Sequence, residues 1–324
     1  MTSTKQPPRI KTFLALLVGY FLLGFVSTTA GQGIPKNVRR ILFLGNSITY
    51  SGAYITNIEA YFAAHYPNQS VEFINVGLPS ETVAGLSEDG HAGGRFPRPD
   101  LHERLGRVLE QTKPDWVFAC YGINDGIQMP LDESRFQRFK DGIVWLHEEV
   151  TKMGARIIHL TPSVYDETRG KSKGYAAVMD YYAKWLVAQH KQQHWEVIDT
   201  HTPMKKYIDA HQKLDKKLGI AGFTIAPDGV HINDAGHWIV AKEVLLYLGE
   251  KAVATVPDIQ SALSDVSQSV QILDLVTQRQ AIMKDAWLTA TRHTRPEMKT
   301  GLPMQEARKK YDEIGQKIQD LRKQ

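Results

Sequence analysis

Four short blocks of this chain carry residues that can do chemistry together. Ser47 stands in "FLGNSIT" directly after an apolar run, Gly77 in "NVGLPSET", Asn124 in "CYGINDG", and Asp228 and His231 in "APDGVHINDAGHW". A serine hydroxyl is a weak nucleophile until a base removes its proton. His231 has the chemistry of that base, and Asp228 that of the group which orients the imidazole and stabilises it once charged. Attack on a carbonyl also creates an oxyanion that needs hydrogen-bond donors. The backbone N–H groups of Ser47 and Gly77 and the side-chain amide of Asn124 are the expected donors. Glycine suits that task because a residue without Cβ lets its N–H come close to a substrate. A Gly-Asn-Ser tripeptide alone says little, since it also caps helices. The set gains meaning from its order and from where each block falls.

Those positions are set by the surrounding elements. Apolar runs at 40–44, 71–76, 116–121, 156–160 and 196–199 read as strands, and several lack polar alternation, as strands buried on both faces do. Helical periodicity fills the intervals at 54–65, 101–111, 134–153, 175–193, 203–218 and 235–249. This β-α alternation predicts a parallel sheet covered by helices on both sides. In such sheets the functional loops lie beyond the carboxyl ends of the strands, where all four blocks fall. Neither a dinucleotide fingerprint nor a phosphate loop follows the first strand.

The four blocks in this order resemble the SGNH hydrolases, also called the GDSL family of esterases and acylhydrolases, over about 38–248. The resemblance implies a three-layer α/β/α sandwich with a parallel, flavodoxin-like sheet. It also implies a serine nucleophile at Ser47, an oxyanion glycine at Gly77, the third block at Gly122 and Asn124, and the acid and base at Asp228 and His231. No metal and no cofactor is expected. The chain departs from the family pattern at Asn46, where the family name has Asp, and at Ile48 in place of leucine. Both changes bear on the positioning of the serine loop and not on the reaction class.

Other residues have two readings each. The segment 81–104, "ETVAGLSEDGHAGGRFPRPDLHER", holds His91, Arg95 and Arg98 and follows the oxyanion block; it either overhangs the site as a substrate-binding loop or is a solvated connection. From 254 to 324 no strand pattern appears, and two helical stretches, 259–291 and 304–322, flank "RHTRPEMKTGLP". This helical extension packs on the core, covers the site or mediates association; Trp287, Arg292 and His293 are its candidates for the crevice rim, with Trp287 equally suited to a helix core. His237, six residues after His231, lacks metal-ligand spacing and reads as a packing residue. Asp125 reads as a turn or cap residue, and the single Cys120 as core.

Composition bounds the rest. The chain has 324 residues and 42% hydrophobic content, enough for one full-sized domain with something appended. Lys5, Arg9 and Lys11 precede an apolar run at 13–26 and then "STTA", the pattern of a signal peptide over 1–30. The expected organisation is therefore a leader at 1–30, a hydrolase domain at 38–253 and the extension at 254–324. Removing 1–30 takes away those three cations and no acid, so the formal charge falls from +4 to +1. No basic stripe for nucleic acid remains, and no stable membrane insertion is expected after cleavage. The expectation is an exported, extracytoplasmic serine esterase acting on a small-molecule or polysaccharide ester, with short acyl groups on carbohydrate favoured. A lipase or thioesterase of the same family, a non-catalytic carbohydrate- or envelope-binding module, and an interaction protein working through the extension are the alternatives.

Overall fold

The computed structural model describes residues 33–220 and 222–323, together with Met1. The leader expected over 1–30 lies outside the described residues apart from Met1. No described helix is long and apolar enough to cross a membrane.

Five parallel strands form one sheet: β1 (Arg40–Gly45), β2 (Glu72–Asn75), β3 (Trp116–Cys120), β4 (Arg156–Leu160) and β5 (Glu196–Ile198), in the order β2-β1-β3-β4-β5. Their bounds follow the apolar runs closely. Ile41, Leu42, Phe43 and Leu44 are wholly buried, as is expected of a strand flanked by others and covered on both faces. Phe43 stacks between Phe73 of β2 and Phe118 of β3, so one ring ties three strands together. The core alternation continues through α1 (Ser47–Ser51), α2 (Ala53–His65), α3 (Leu105–Thr112), α4 (Glu133–Lys152), α5 (Tyr175–Gln192), α6 (His201–Leu218) and α7 (Asp234–Tyr247).

The chain leaves β1 toward β2 on one side and later returns to place β3 on the other. Sequence order therefore reverses beside β1, and the crevice opens between the loops after β1 and β3. The register sets Gly45 opposite Cys120 and Phe43 opposite Asn75, so the three loops that follow begin close together. Ser47 and Asn124 come from the two strands that flank the switch point.

Beyond the sheet, α8 (Ile259–Ala262), α9 (Ser269–Thr291) and α10 (Met304–Leu321) make up the extension. The helix expected across 259–291 is broken, because the chain turns between Leu263 and Gln268 before α9 starts. Packing on the core is the option taken: α9 lies along edge strand β2 and against α2, and α10 folds back on α9. Gln280 of α9 donates to Glu59 of α2 at 2.6 Å and to the Phe73 carbonyl of β2 at 2.8 Å. This covers the exposed edge of the sheet, where unpaired strand groups would otherwise recruit another chain.

Candidate active site

Ser47 opens α1, a single turn that starts two residues after β1 ends. Asn46 caps it: the buried Oδ1 accepts the Ile48 N–H at 3.0 Å, and the Asn46 carbonyl accepts from Tyr50 at 2.8 Å. An amide oxygen serves this acceptor role as well as a carboxylate does, which explains why asparagine is compatible with the turn. Facing Ser47 is the loop before α7. His231 Nε2 lies 2.9 Å from Ser47 Oγ, and His231 Nδ1 lies 2.6 Å from Asp228 Oδ2. Asp228 Oδ1 also accepts the backbone N–H groups of Val230 and His231, at 2.9 and 2.7 Å, so the loop fixes the carboxylate before the imidazole does. Burial works against the Asp228 charge, but these donors outweigh it and hold the carboxyl below its ordinary range. With Nδ1–H donating to Asp228, the Nε2 lone pair faces the serine hydroxyl, the arrangement required of a general base.

The oxyanion side differs from expectation at Gly77. Its N–H is already engaged, donating to Asn75 Oδ1 at 2.9 Å. What Gly77 provides is close approach: a Cβ there would stand 2.4 Å from the Tyr50 nitrogen and 2.6 Å from the Thr49 carbonyl carbon. Glycine at 77 thus lets the second loop press against the backbone of α1. Three residues on, a feature that sequence reading missed leaves a backbone N–H unspent. Ser80 holds φ of 69°, left-handed for a residue with a side chain, and its N–H, like that of Ser47, has no partner among the described residues. The usual sequence signal for such a backbone is glycine, and here it is absent. Asn124 Nδ2 donates to the Glu81 carbonyl at 3.2 Å, which uses one amide proton and leaves the second.

Two buried groups support this wall. Glu81 and Arg104, at the two ends of the rich 81–104 segment, form a bidentate pair at 2.6 and 2.7 Å, and both are buried. Tyr121 donates to the same carboxylate at 2.7 Å, and Arg104 donates to the Val76 carbonyl at 2.8 Å. Burial opposes the guanidinium charge, but the facing carboxylate outweighs it and raises the Arg104 pKa. Asp125 does more than shape a turn. It accepts N–H bonds from Val83, Ala84 and Gly122 at 2.7, 2.9 and 2.8 Å, locking the loop that carries Asn124 to the loop that carries Ser80. Burial pushes the Asp125 carboxyl up to about 6, against the pull of those three donors.

The remaining candidates separate. Trp287 is not at the rim: it is buried, and its indole N–H donates to Glu72, the first residue of β2, at 3.1 Å with Arg308 over the ring at 5.2 Å. The site lies beyond the other end of that strand, so Trp287 is core for the extension. His91 is pinned by Glu88 at 3.2 Å and set edge-on to Phe96; Arg98 pairs with the same Glu88 at 2.6 Å. Arg95 is exposed and joins Glu297 of the extension at 2.5 Å. His293 is half-buried beside Arg104, and burial followed by that charge lowers its pKa. No described hydrogen bond links His91, Arg95 or His293 to Ser47, Asp228 or His231. The extension instead reaches the catalytic loops through Lys284, on the Tyr50 carbonyl at 3.0 Å, and Arg295, on the Pro79 carbonyl at 3.0 Å.

His237 packs as expected, stacked on Tyr54, and its Nε2 meets Ser51 Oγ at 3.0 Å. Ser51 gives its own proton to the Ile48 carbonyl at 2.7 Å, so Nε2 carries the hydrogen and Ser51 is not activated. The contact clips the nucleophile turn to α7, the helix that follows His231. Among the described residues no group of three His, Cys, Asp or Glu stands where it would hold a metal ion.

Comparison with known proteins identifies the family. The GDSL-like Lipase/Acylhydrolase family model matches residues 43–239, more than half of the chain. An acetylxylan esterase of Geobacillus stearothermophilus is 23% identical over 231 residues, covering 65% of this chain and 94% of that protein. Among solved structures, a gut microbial diltiazem-metabolizing enzyme superposes with a TM-score of 0.53 at 22% identity, covering 67% of this chain and 48% of that one. A mutant of an acetyl-xylooligosaccharide esterase of Geobacillus superposes with a TM-score of 0.50 at 22% identity, over 67% and 97% of the two chains. At these identities the superpositions speak for the α/β fold.

Proposed function

Because this chain belongs to the GDSL-like lipase/acylhydrolase family and is thereby a carboxylic ester hydrolase, we propose that it is an exported serine esterase removing acetyl or other short acyl groups from carbohydrate. The observation that carries the reaction is the relay Asp228–His231–Ser47, with spacings of 2.6 and 2.9 Å. In this mechanism Ser47 Oγ attacks the ester carbonyl as its proton passes to His231 Nε2. The tetrahedral oxyanion is received by the N–H groups of Ser47 and Ser80 and by Asn124 Nδ2. Collapse breaks the bond to the alcohol, which takes the proton from the imidazolium and leaves an acyl-Ser47. Water then gives a proton to His231, attacks the acyl carbon, and frees the acid as the proton returns to Ser47.

The alcohol is assigned from the openness of the site. The side chains of His231 and Asp228 are 54% and 56% exposed, so a bulky polar alcohol can approach without an apolar cover to displace. The similarity to an acetylxylan esterase supports the same reading of acyl group and alcohol. Export is proposed from the leader pattern over 1–30.

The test is hydrolysis of acetyl, butyryl and octanoyl p-nitrophenyl esters, and of acetylated xylo-oligosaccharide, by the protein beside Ser47→Ala. Serine-dependent turnover fastest on acetyl supports the proposal. Preference for octanoyl points to a lipase-type acylhydrolase instead, and turnover equal in the two proteins removes Ser47 from the reaction.

A further inference from the structure

Two cations of the extension stand beside the catalytic loops without a carboxylate partner. Lys284 Nζ donates to the Tyr50 carbonyl at 3.0 Å and lies 3.9 Å from the centre of the Tyr50 ring. Arg295 Nε donates to the Pro79 carbonyl at 3.0 Å, its Nη1 to the Pro296 carbonyl at 3.0 Å, and its guanidinium lies over Phe96 at 5.1 Å. The acids nearby are already taken. Asp285 pairs with Lys299 at 3.3 Å, and Glu297 pairs with Arg95 at 2.5 Å. Among the described residues neither Lys284 nor Arg295 lies within salt-bridge distance of a carboxylate. Both are partly buried, and burial lowers the pKa of each by more than the nearby Asp285 and Glu297 charges raise it.

Their location ties them to the reaction. Tyr50 is three residues after Ser47 on α1, so the two side chains are neighbours about 5–6 Å apart at Cβ. Pro79 immediately precedes Ser80, the proposed oxyanion donor. Lys284 keeps ammonium protons and Arg295 keeps Nη2 unspent on the protein. A cation pair that only fastened the extension would have its demand met by the acids beside it. Here those acids are spent elsewhere, and the free donors flank the nucleophile turn.

We propose that Lys284, Arg295 and the Tyr50 ring form a subsite that binds the carboxylate of an acidic sugar next to the acylated one. The substrate is then an esterified uronic-acid-bearing oligosaccharide, with the carboxylate held beside the sugar whose ester faces Ser47. This rests on the reading of the chain as a short-acyl carbohydrate esterase and narrows its substrate class.

The test measures binding in the Ser47→Ala background, where ligand is held but not turned over. Neutral xylo-oligosaccharide and the same oligosaccharide bearing one glucuronic acid are titrated by calorimetry. The expected result is at least about tenfold tighter binding of the acidic ligand, as for hydrogen bonds to a charged group. That preference shrinks as salt is raised. Adding Lys284→Met or Arg295→Gln removes most of it, Arg295→Lys restores part, and Lys309→Met on the exposed face of α10 leaves it intact. Thermal melting separates loss of fold from loss of the subsite. Equal affinity for the two ligands overturns the proposal, as does weakening by the variants that is the same for both, which would mark a fastening role only. Acetate release is measured in parallel with Ser47 intact. Absence of serine-dependent release from either acetylated oligosaccharide overturns the short-acyl carbohydrate esterase reading, and with it the assignment of this subsite to substrate.

Discussion

The Asn75 carboxamide donates to the Thr49 carbonyl at 2.8 Å while its oxygen accepts the Gly77 N–H, so one buried side chain couples the nucleophile turn to the oxyanion loop. The coupling works because nothing stands between the two backbones. Gly77→Ala puts a methyl group 2.4 Å from the Tyr50 nitrogen, a contact that only movement of α1 can relieve. The expected outcome is a loss of roughly 10²-fold in kcat, as for angstrom-scale misplacement of a reacting group. Steady-state kinetics on an acetyl ester checks it, and activity near the unsubstituted level would show that the loops tolerate separation.

Ser80 makes the reverse case. Its left-handed backbone costs a residue with a side chain about 1–2 kcal/mol, and glycine removes that cost. Ser80→Gly is expected to raise the urea midpoint while keeping turnover. Ser80→Val, β-branched at positive φ, is expected to lower both. Loss of activity in Ser80→Gly would mean that the serine side chain, and not the backbone N–H, is what the site uses.

Asn124 is held by the Glu81 carbonyl with one amide proton and is proposed to give the other to the oxyanion. Asn124→Ala should therefore lower kcat by about 10²- to 10³-fold with little change in KM, since the bond strengthens as charge develops. A change confined to KM would place Asn124 in ground-state binding.

Buried histidines set the response to acid. Burial lowers the pKa of His237 to about 4 and that of His159 to about 3. The unfolded chain, with histidines near 6.5, binds more protons than the folded one between those values and about 6.5. Their contribution to stability is complete above about pH 6.5 and is lost as pH falls. Asp125, raised to about 6, acts in the opposite sense, as do Glu59, Glu81 and Glu243, which burial also raises, while His147 and His293, lowered by burial, act with the two histidines. Removing the His237 contribution, His237→Gln should lose less urea-midpoint stability between pH 7 and pH 5 than the unsubstituted protein does. An unchanged slope would mean that His237 is not sealed from solvent.

Much of this was legible in sequence, for identifiable reasons. β3 is an apolar run buried throughout, and β4 is buried from Ile157 onward, so the sequence pattern bounded both within a residue. The residues of the relay lie in compact blocks at strand and loop ends, and the fold brings them together. Three features were not legible. α1 has five residues, too few to show a period. The Gly77 N–H is taken by a side chain two residues away, a contact that no spacing rule announces. Trp287 looked like a rim aromatic because it shares a segment with Arg292 and His293, but Glu72 and Arg308 come from distant parts of the chain and bury it.

The most direct test of the central claim is intact-mass and peptide mapping of protein quenched during turnover of an acetyl ester. The account predicts one added acetyl group, located on the peptide that contains Ser47 and absent in Ser47→Ala. Turnover by a protein that never carries an acyl group on Ser47, and that loses nothing in Ser47→Ala, would contradict it.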